Sequence, residues 1–413
     1  MISPEDFPYI TSIYVNDCYT YQDFNIDLIK HQPFSHLILT GKNGSGKSTI
    51  LSQINEHIST MRKNGEDLLR KAVGIRLNIE SSNNSEDLKT KYVGVLKDWE
   101  KEINEFERII PTYSNKIDPT LFILKKEYVY SYLLPFRDSK VNKVETPTKQ
   151  ESFENQIEQS DTKGFFIKNF KQFLVNKKVN QAFAQIKHHN SEIANTDVFF
   201  NKIEQVFASI FEDKLLKLEF QEDSFEFYII LNDGRKLTFD ILPDGFSAFL
   251  SILMDLFVRL DLIRKNVGDN SYNPCGIVLI DEPETHLHIS LQYHVLPILT
   301  TLFPNVQFIV ATHSPAVISS IKNSTIFDLT TKETLSSDDA IGKSFSELMV
   351  SHFGLDNEFS DFTDDLFEKV NTVLKENKNN IPLRNQQLKA ILKENERYIS
   401  PTMRFELEAK ISE

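Results

Sequence analysis

A glycine-rich stretch near the N-terminus has the residue types and the spacing that cradle a phosphate. It fits the pattern G-x-x-x-x-G-K-[ST], and its defining residues are Gly41, Gly44, Gly46, Lys47 and Ser48. Glycine permits backbone conformations in which successive N–H groups turn inward around an anion. Lys47 is therefore expected to reach the β- and γ-phosphates of ATP, and the Ser48 hydroxyl to bind Mg²⁺. Further candidate nucleotide-binding residues in the same stretch are Asn43, Ser45 and Thr49.

Two carboxylates follow an apolar run later in the chain. Residues 276–280 read Gly-Ile-Val-Leu-Ile, and Asp281 and Glu282 come next. Such a run is typical of a strand buried in a parallel sheet. At its tip Asp281 is expected to support Mg²⁺, directly or through water, while Glu282 acts as general base on the attacking water. Together with the upstream phosphate loop, the pair predicts a site that hydrolyses a nucleotide.

A histidine and a turn before a long helix complete the candidate site. His313 lies just past a second apolar run, residues 308–311. A histidine there usually serves structure, but its position after the other motifs favours contact with the γ-phosphate. Asp244 and Gly245 precede the apolar helical stretch 246–264. The N–H groups at the start of that helix are expected to reach a phosphate held by a second subunit.

Composition narrows the class of protein. The 413 residues suggest two or three structural units, and the formal net charge is −13. Such a surface repels nucleic acid, so any contact with DNA needs a local basic patch. The only two cysteines, Cys18 and Cys275, form no C-x-x-C pair, which indicates a reduced, cytoplasmic protein. We find no apolar run long enough for a bilayer and no signal peptide, so no membrane partner is expected.

The elements that must position these residues read as an α/β fold with a split head. Residues 9–28 predict two strands, residues 37–39, 277–280 and 308–311 predict buried strands, and residues 215–240 predict a β-meander. We expect an ATPase head from residues 1–58 and 199–330. A mostly helical insertion, 59–198, is expected to carry a strand near 121–134, and residues 345–413 a helical C-terminal region.

The most basic stretch, residues 163–187, carries six lysines and a helical pattern of phenylalanines. It predicts either a surface for nucleic acid or a partner, or an ordinary solvated helix face. The tail offers a second candidate surface. Its apolar positions Phe362, Leu366, Val370 and Val373 have helical spacing, and they either pack on the protein itself or dock a partner.

The order of these motifs resembles that of ABC-type ATPase heads, P-loop NTPases with a mixed sheet and an N-terminal β-subdomain. Residues 281–288, Asp-Glu-Pro-Glu-Thr-His-Leu-His, are similar to the SMC, RecF and OLD branch. Three longer stretches resemble the stand-alone ATPases of bacterial anti-phage systems, the Septu-type and retron-associated ATPases encoded beside a small HNH nuclease. They are residues 242–249, 279–292 and 302–315.

The resemblance implies a role for each matching residue. Lys47 and Ser48 would bind phosphate and Mg²⁺, Asp281 would support the metal, Glu282 would be the base and His313 the γ-phosphate switch. Asp244 and Gly245 would belong to a signature loop that completes the partner's site, and residues 285–288 to a loop that crosses the interface of a homodimer or higher oligomer.

The chain also departs from the pattern of such heads. Pro243 replaces a serine whose hydroxyl would touch the γ-phosphate, and Phe246 stands where a polar residue is common. No glutamine-containing Mg²⁺ loop can be assigned, and Arg137 is the substitute candidate. ATP binding is therefore a firmer expectation than fast turnover. His286 and His288, near several carboxylates, offer an alternative reading as a metal cluster.

Three functions compete. The leading hypothesis is an ATPase that regulates a separate HNH nuclease in anti-phage defence, with nucleic acid contacted through the complex. The second is a RecF- or SMC-like repair ATPase that acts directly on DNA. The third, an OLD-like nuclease, needs a Toprim domain after the head, but the residues beyond Thr330 read as helices rather than as alternating strands and helices.

Overall fold

The protein, described here by a computed structural model, folds as an α/β protein, as the sequence predicts. The residues that the structure describes are 2–61, 104–114, 127–135, 142–148, 165–242, 244–269, 271–343, 347–348, 361–378, 380–401, 404–405 and 408. The chain divides into two compact units, Met1–Gly354 and Leu355–Glu413.

The first unit contains both strands and helices, which alternate one by one through residues 244–328. The strands of the described residues are β1 Ile10–Cys18, β2 Tyr21–Asp27, β3 His36–Thr40, β4 Ile109–Tyr113, β5 Val129–Leu133, β6 Lys217–Gln221, β7 Glu226–Ile230, β8 Lys236–Leu237, β9 Gly276–Asp281, β10 Val306–Ala311, β11 Ser324–Asp328 and β12 Glu333–Ser336. The described α-helices of four or more residues are α1 47–61, α2 Phe165–Ile186, α3 Asn190–Ile210, α4 Asp244–Val267, α5 Ile289–Leu302, α6 Pro315–Ile318, α7 Ser337–Ile341, α8 Asp361–Glu376 and α9 Ile381–Glu394. No described helix is long and apolar enough to cross a bilayer.

A six-stranded sheet forms the centre of the first unit, in the order β12-β11-β3-β10-β9-β5. All neighbours pair in parallel except β11 and β12. Strands β3, β9, β10 and β11 are buried along their whole length. Their side chains alternate between two hydrophobic clusters, so that Leu279 enters one cluster and Ile280 the other. Burial on both faces explains why these strands are continuous apolar runs.

Two smaller antiparallel sheets flank the central one. The N-terminal sheet has the order β2-β1-β4, and the meander has the order β6-β7-β8. The two N-terminal strands and the meander are confirmed where the sequence predicts them. In β1, Ile13 and Val15 are fully buried while their neighbours are more exposed, which is the alternation of a strand with one covered face.

The segment expected to be a mostly helical insertion contributes strands to these sheets. β4 pairs with β1, and β5 pairs with β9. The strand expected near 121–134 spans Val129–Leu133, while 115–126 lie outside the described residues. The sequence predicts this strand but not the sheet that it joins, because its pairing with β9 connects residues far apart in sequence. The domain boundaries drawn from the sequence stay a prediction.

The second unit is a small helical pair. Helices α8 and α9 agree with the helical C-terminal region that the sequence predicts. Leu366 and Val370 of α8 are buried together with Leu388 of α9, so these apolar positions are covered within the unit. Phe362, by contrast, is 48% exposed, with its ring 5.4 Å from that of Tyr398.

Candidate nucleotide-binding site

The phosphate loop lies between β3 and α1, as the motif requires. Three of its glycines have positive φ, at 133° for Gly41, 77° for Gly44 and 78° for Gly46, a region that side chains disfavour. Two of them also have close neighbours. A Cβ on Gly46 would lie 2.7 Å from the ring of Tyr21, and one on Gly41 would lie 2.9 Å from the Ser45 hydroxyl. The loop therefore has both the backbone and the tight surroundings of a preformed anion cradle.

The ammonium group of Lys47 is held inside this loop. The residue is only 5% exposed, and its Nζ donates to the carbonyl oxygens of Gly41 at 2.9 Å and Lys42 at 3.1 Å. Burial lowers the pKa of Lys47 to about 8, and nearby carboxylates, Glu282 first, act in the opposite direction. A desolvated cation among backbone carbonyls gains strongly from an added anion, which is the arrangement that a phosphate site needs.

Ser48 and Asp281 meet although 233 positions separate them. The Ser48 hydroxyl donates to Oδ1 of Asp281 at 3.0 Å. This happens because Ala311 of β10 pairs with Leu39 on one side and with Asp281 on the other, so the ends of β3 and β9 lie at the same edge of the sheet. A hydroxyl and a carboxylate are oxygen ligands that suit Mg²⁺. The described residues contain no group of three His, Cys, Asp or Glu side chains placed to hold a metal.

Glu282 begins a strained turn directly after β9. Its φ is +46°, a conformation that costs a residue with a side chain about 1–3 kcal/mol. Its N–H donates to the Ala311 carbonyl at 2.8 Å, and its carbonyl accepts from the Thr285 hydroxyl at 2.9 Å. The turn therefore fixes the direction in which the chain leaves the sheet, beside the phosphate loop.

His313 is positioned by a carboxylate that the sequence analysis did not single out. Oε1 of Glu284 accepts from the His313 N–H and from the Thr312 hydroxyl, both at 2.7 Å. Burial raises the pKa of Glu284. Burial, followed by the charge of Lys47, lowers the pKa of His313, which favours a neutral imidazole. The repeated acids at 281, 282 and 284 were the signal for Glu284, but its partners become visible only in the fold.

The turn with Gly245 contacts its own chain. A Cβ on Gly245 would press on the backbone carbonyl of His286, 3.1 Å from its carbon atom. Phe246, which departs from the polar residue of similar heads, stacks on Phe211 with ring centroids 4.7 Å apart, so packing explains its identity. The start of α4 thus lies on the loop 285–288 within one head. The side chain of Asp244, and Pro243 and Arg137 altogether, lie outside what the structure describes.

The two histidines of that loop have different structural roles. Nδ1 of His288 accepts from the Ser290 N–H at 3.4 Å and caps α5. His286 has a φ of +63° and presents its carbonyl to Gly245. Gln292 then connects this loop with the end of β10, since it donates to Leu287 O at 2.9 Å and accepts from the Ser314 hydroxyl at 2.6 Å.

The predicted residues Lys47, Ser48, Asp281, Glu282 and His313 are thus brought to one edge of the sheet, where Glu284 and Tyr21 join them. Tyr21 packs on Gly46, and its hydroxyl donates to the Ser45 carbonyl. Asn43 is exposed and Thr49 half-buried on the first turn of α1. The roles assigned to these residues stay predictions. The fold places together the cation of Lys47, the Ser48 hydroxyl and Asp281 carboxylate, which are oxygen groups that suit Mg²⁺, and the carboxylate residue Glu282.

One family of protein domains matches most of the chain. The family is described as "AAA domain, putative AbiEii toxin, Type IV TA system", and the match covers residues 37–319. That range begins in β3 and ends just after α6, so it contains the phosphate loop, the end of β9 and His313.

Several known proteins are similar to the chain. The Retron Vc95 probable ATPase of Vibrio cholerae serotype O1 biovar El Tor is 24% identical over 371 residues, covering 73% of this chain and 72% of that protein. The Retron Ec83 probable ATPase of Escherichia coli is 42% identical over 86 residues, 21% of this chain and 16% of that protein. The Septu protein PtuA of Bacillus thuringiensis is 26% identical over 165 residues, 40% of this chain and 38% of that protein. The chain therefore spans most of the first relative's length but well under half of the other two.

Among solved structures, the SmcHead bound to the C-winged helix domain of ScpA is similar to the chain at 15% sequence identity and a TM-score of 0.41. That match covers 81% of this chain and 100% of the SmcHead chain.

Proposed function

The chain belongs to the family of AAA domains described as putative AbiEii toxins of type IV toxin–antitoxin systems and is an ATPase, and we propose that it binds ATP with Mg²⁺ to control a separate effector nuclease in anti-phage defence. The contact between Ser48 and Asp281 carries the ATP site of this proposal. It joins the phosphate loop to the end of β9 at 3.0 Å, and the Lys47 ammonium lies nearby between two loop carbonyls.

Each residue of the site then has a chemical task. Lys47 donates to phosphate oxygens, and Ser48 and Asp281 hold the metal. Bound Mg²⁺ supplies positive charge at the phosphate oxygens where negative charge develops. Glu282 accepts the proton of the attacking water at a carboxylate oxygen. Glu284 orients the main chain at His313 through the 2.7 Å bond from the His313 N–H, which keeps the imidazole at the edge of the site.

A two-fold dimer through the ATP sites is the second part of the proposal. The start of α4 and the loop 285–288 contact each other in one chain, so the two segments expected at an interface form one continuous surface. A surface that pairs with its own copy makes an isologous interface. ATP would bridge the two chains by adding a negatively charged group between the phosphate loop of one and the helix start of the other.

The effector is proposed to be an HNH-type nuclease encoded by a neighbouring gene. Two kinds of relative support a defence role, since they are a retron ATPase and a Septu protein. The sequence contains a nucleotide site but no H-N-H signature of its own. Control of a nuclease by nucleotide state would divide the work between two chains, with ATP chemistry on this one.

The test is to purify the full chain from its native operon and to identify the proteins that accompany it. The full chain alone and the complex are then assayed for DNA cleavage with ATP and Mg²⁺. We expect cleavage from the complex only. The Lys47→Ala chain, which should not bind ATP, serves as the control. If this variant no longer retains the partner, ATP binding is needed for assembly of the complex. Cleavage by the ATPase alone, or tight DNA binding by it at physiological salt, would favour the OLD-like or the repair hypothesis instead.

A further inference from the structure

Two lysines of the basic stretch 163–187 are neutralised by acids from other elements. Lys171 is 1% exposed and bonds to Glu226 at 2.5 Å, and Lys177 bonds to Asp261 at 2.6 Å. Lys178 lies over the Phe200 ring at 4.2 Å and donates to Gln181. Lys163, and the side chain of Lys168, lie outside what the structure describes. Of the described lysine side chains, Lys187 is exposed at the end of the stretch and is the lysine of interest.

Lys187 lies at a cavity of about 840 Å³ that is formed by α2, α3, the last part of α4 and the segment before β9. This size falls in the range of sites for small organic ligands, about 300–1,000 Å³. Cationic side chains reach the cavity from several elements: Lys187 from the turn just after α2, Lys202 from α3, and Arg264 and Lys265 from α4. A concave, cationic site is unexpected on a chain with a formal charge of −13.

The positive charge of this cavity is only partly balanced. Its carboxylates are Asp261, which Lys177 already engages, and Glu192, which lies 3.6 Å from the ring of His189. Among the described residues, the Lys202 ammonium has no hydrogen bond or ion pair. Burial, and then the charge of Arg264, lowers the pKa of Lys202. Two neighbouring cations that raise each other's energy are stabilised together by one bound anion.

The orientation of Arg264 is fixed by its surroundings. Its Nε donates to the Tyr272 carbonyl at 2.7 Å, and an Nη donates to the Asn273 side chain at 2.9 Å. Burial lowers the pKa of Arg264, and the carboxylates of Asp261 and Asp269 act in the opposite direction. The guanidinium retains N–H groups beyond the two that these acceptors engage. The cavity therefore contains one preorganised cation beside the more adaptable Lys202.

Apolar side chains form another part of the wall. Phe183 is 55% exposed and Val198 is 54% exposed, and Phe199, Phe257, Leu260 and Leu302 lie deeper. Exposed aromatic rings beside cations suit a ligand with a flat ring and a phosphate, because the ring stacks while the anion pairs. A single inorganic phosphate would leave most of this wall uncovered.

We propose that this cavity binds a small phosphorylated ligand with a flat ring, the chemistry of a nucleotide, at a second site separate from the phosphate loop. Helix α4 connects the two places: Gly245 lies at its first turn and Arg264 near its last, about 28 Å apart at 1.5 Å per residue. The segment that carries Asn273 leads into β9, which ends at Asp281. The second site needs neither ATP hydrolysis nor a nuclease partner.

Calorimetry on the full chain tests the proposal. The chain carries Lys47→Ala, which removes the phosphate-loop cation, and the probes are AMP, inorganic pyrophosphate and a single-stranded DNA oligonucleotide. We expect saturable binding of AMP. Lys202→Glu should weaken it about tenfold or more, because the variant replaces an attraction with a repulsion. Lys187→Glu changes an exposed residue and gives a second reading if Lys202→Glu does not fold. The matched control is Lys214→Glu, the same charge change at an exposed lysine outside the cavity.

The apolar wall gives a separate prediction. Phe183→Ala should weaken AMP while leaving pyrophosphate unchanged, because only AMP has a ring to stack. AMP that fails to bind at millimolar concentration would overturn the proposal, as would affinity that is the same in the Lys202, Lys187 and Lys214 variants. Binding of the oligonucleotide alone through the same lysines would also overturn it, since the surface would then recognise a nucleic acid strand. Repeating the AMP titration in the wild-type chain and in the single variant Lys202→Glu keeps the outcome independent of the Lys47 substitution, because the difference between these two chains reports the cavity alone.

Discussion

Substitution of Gly245 by alanine separates two explanations of why the chain has glycine there. The resemblance to ABC-type heads implies that Gly245 belongs to a signature loop that completes the nucleotide site of a partner. The fold shows a contact within one chain, where a Cβ would press on the His286 carbonyl and lie 3.4 Å from Leu287 Cα. These are backbone atoms, so no side chain can rotate away to relieve the contact. The start of α4 or the loop 285–288 must therefore move.

The expected size of the effect follows from that rigidity. Extra atoms forced into a packed place typically cost about 1–3 kcal/mol, and we expect Gly245→Ala to lower the free energy of unfolding by that amount. The matched control is Gly342→Ala. Gly342 has a φ of −78° and nothing within 4 Å of an added Cβ, so its substitution should change stability by less than about 0.5 kcal/mol.

Urea denaturation followed by circular dichroism measures the free energy of unfolding of both variants and of the wild-type chain. All three are compared without nucleotide and at the same protein concentration. The midpoint should fall for Gly245→Ala at an unchanged slope, and the ATPase rate should fall with it because the loop 285–288 begins just after Glu282. If Gly245→Ala is as stable as the wild-type chain but loses ATPase activity, the intrachain argument is refuted and the role toward a partner's nucleotide is favoured.

Four further predictions concern the site and the core. Lys47→Ala should abolish ATP binding, since each charge-assisted hydrogen bond is worth about 1.5–3 kcal/mol; unchanged affinity by calorimetry would contradict this. Glu282→Gln should keep ATP binding but slow hydrolysis by about 10²–10⁴-fold, and a wild-type rate would exclude Glu282 as the base. In the same Glu282→Gln variant, ATP with Mg²⁺ should produce a dimer by light scattering, and a monomer with and without ATP would contradict the two-fold assembly. Burial lowers the pKa of His36 from 6.5 to about 3, and its Nδ1 accepts from the Phe308 N–H at 3.0 Å. The unfolded chain then binds the proton first, so stability should fall as pH drops below about 6.5, by about 2 kcal/mol at about pH 5. His36→Gln, which retains an acceptor but no titration, should show a smaller loss, and equal acid sensitivity in both chains would refute this assignment.

Local patterns were sufficient wherever one segment contains the whole signal. The phosphate loop needs only its glycines, Lys47 and Ser48 in a fixed spacing after an apolar run, and the fold has the strand, loop and helix in that order. The buried strands β9 and β10 were likewise readable, because a strand covered on both faces has no polar alternation. The class of protein and the edge of the sheet that carries Asp281 and Glu282 follow from these short stretches.

What the tertiary structure decided is how distant segments meet. The bond between Ser48 and Asp281 depends on β10 lying between β3 and β9, and no local period encodes strand order. The same holds for Glu284 on the main chain of His313, for β5 beside β9, and for the acids that neutralise Lys171 and Lys177. Periodicity tells which face of a helix is covered but not which side chain covers it. Within the basic stretch, Lys171 and Lys177 therefore form ion pairs with distant acids, while Lys187 lines a cavity together with cations of α3 and α4. Charge is balanced by neighbours in space rather than by neighbours along the chain.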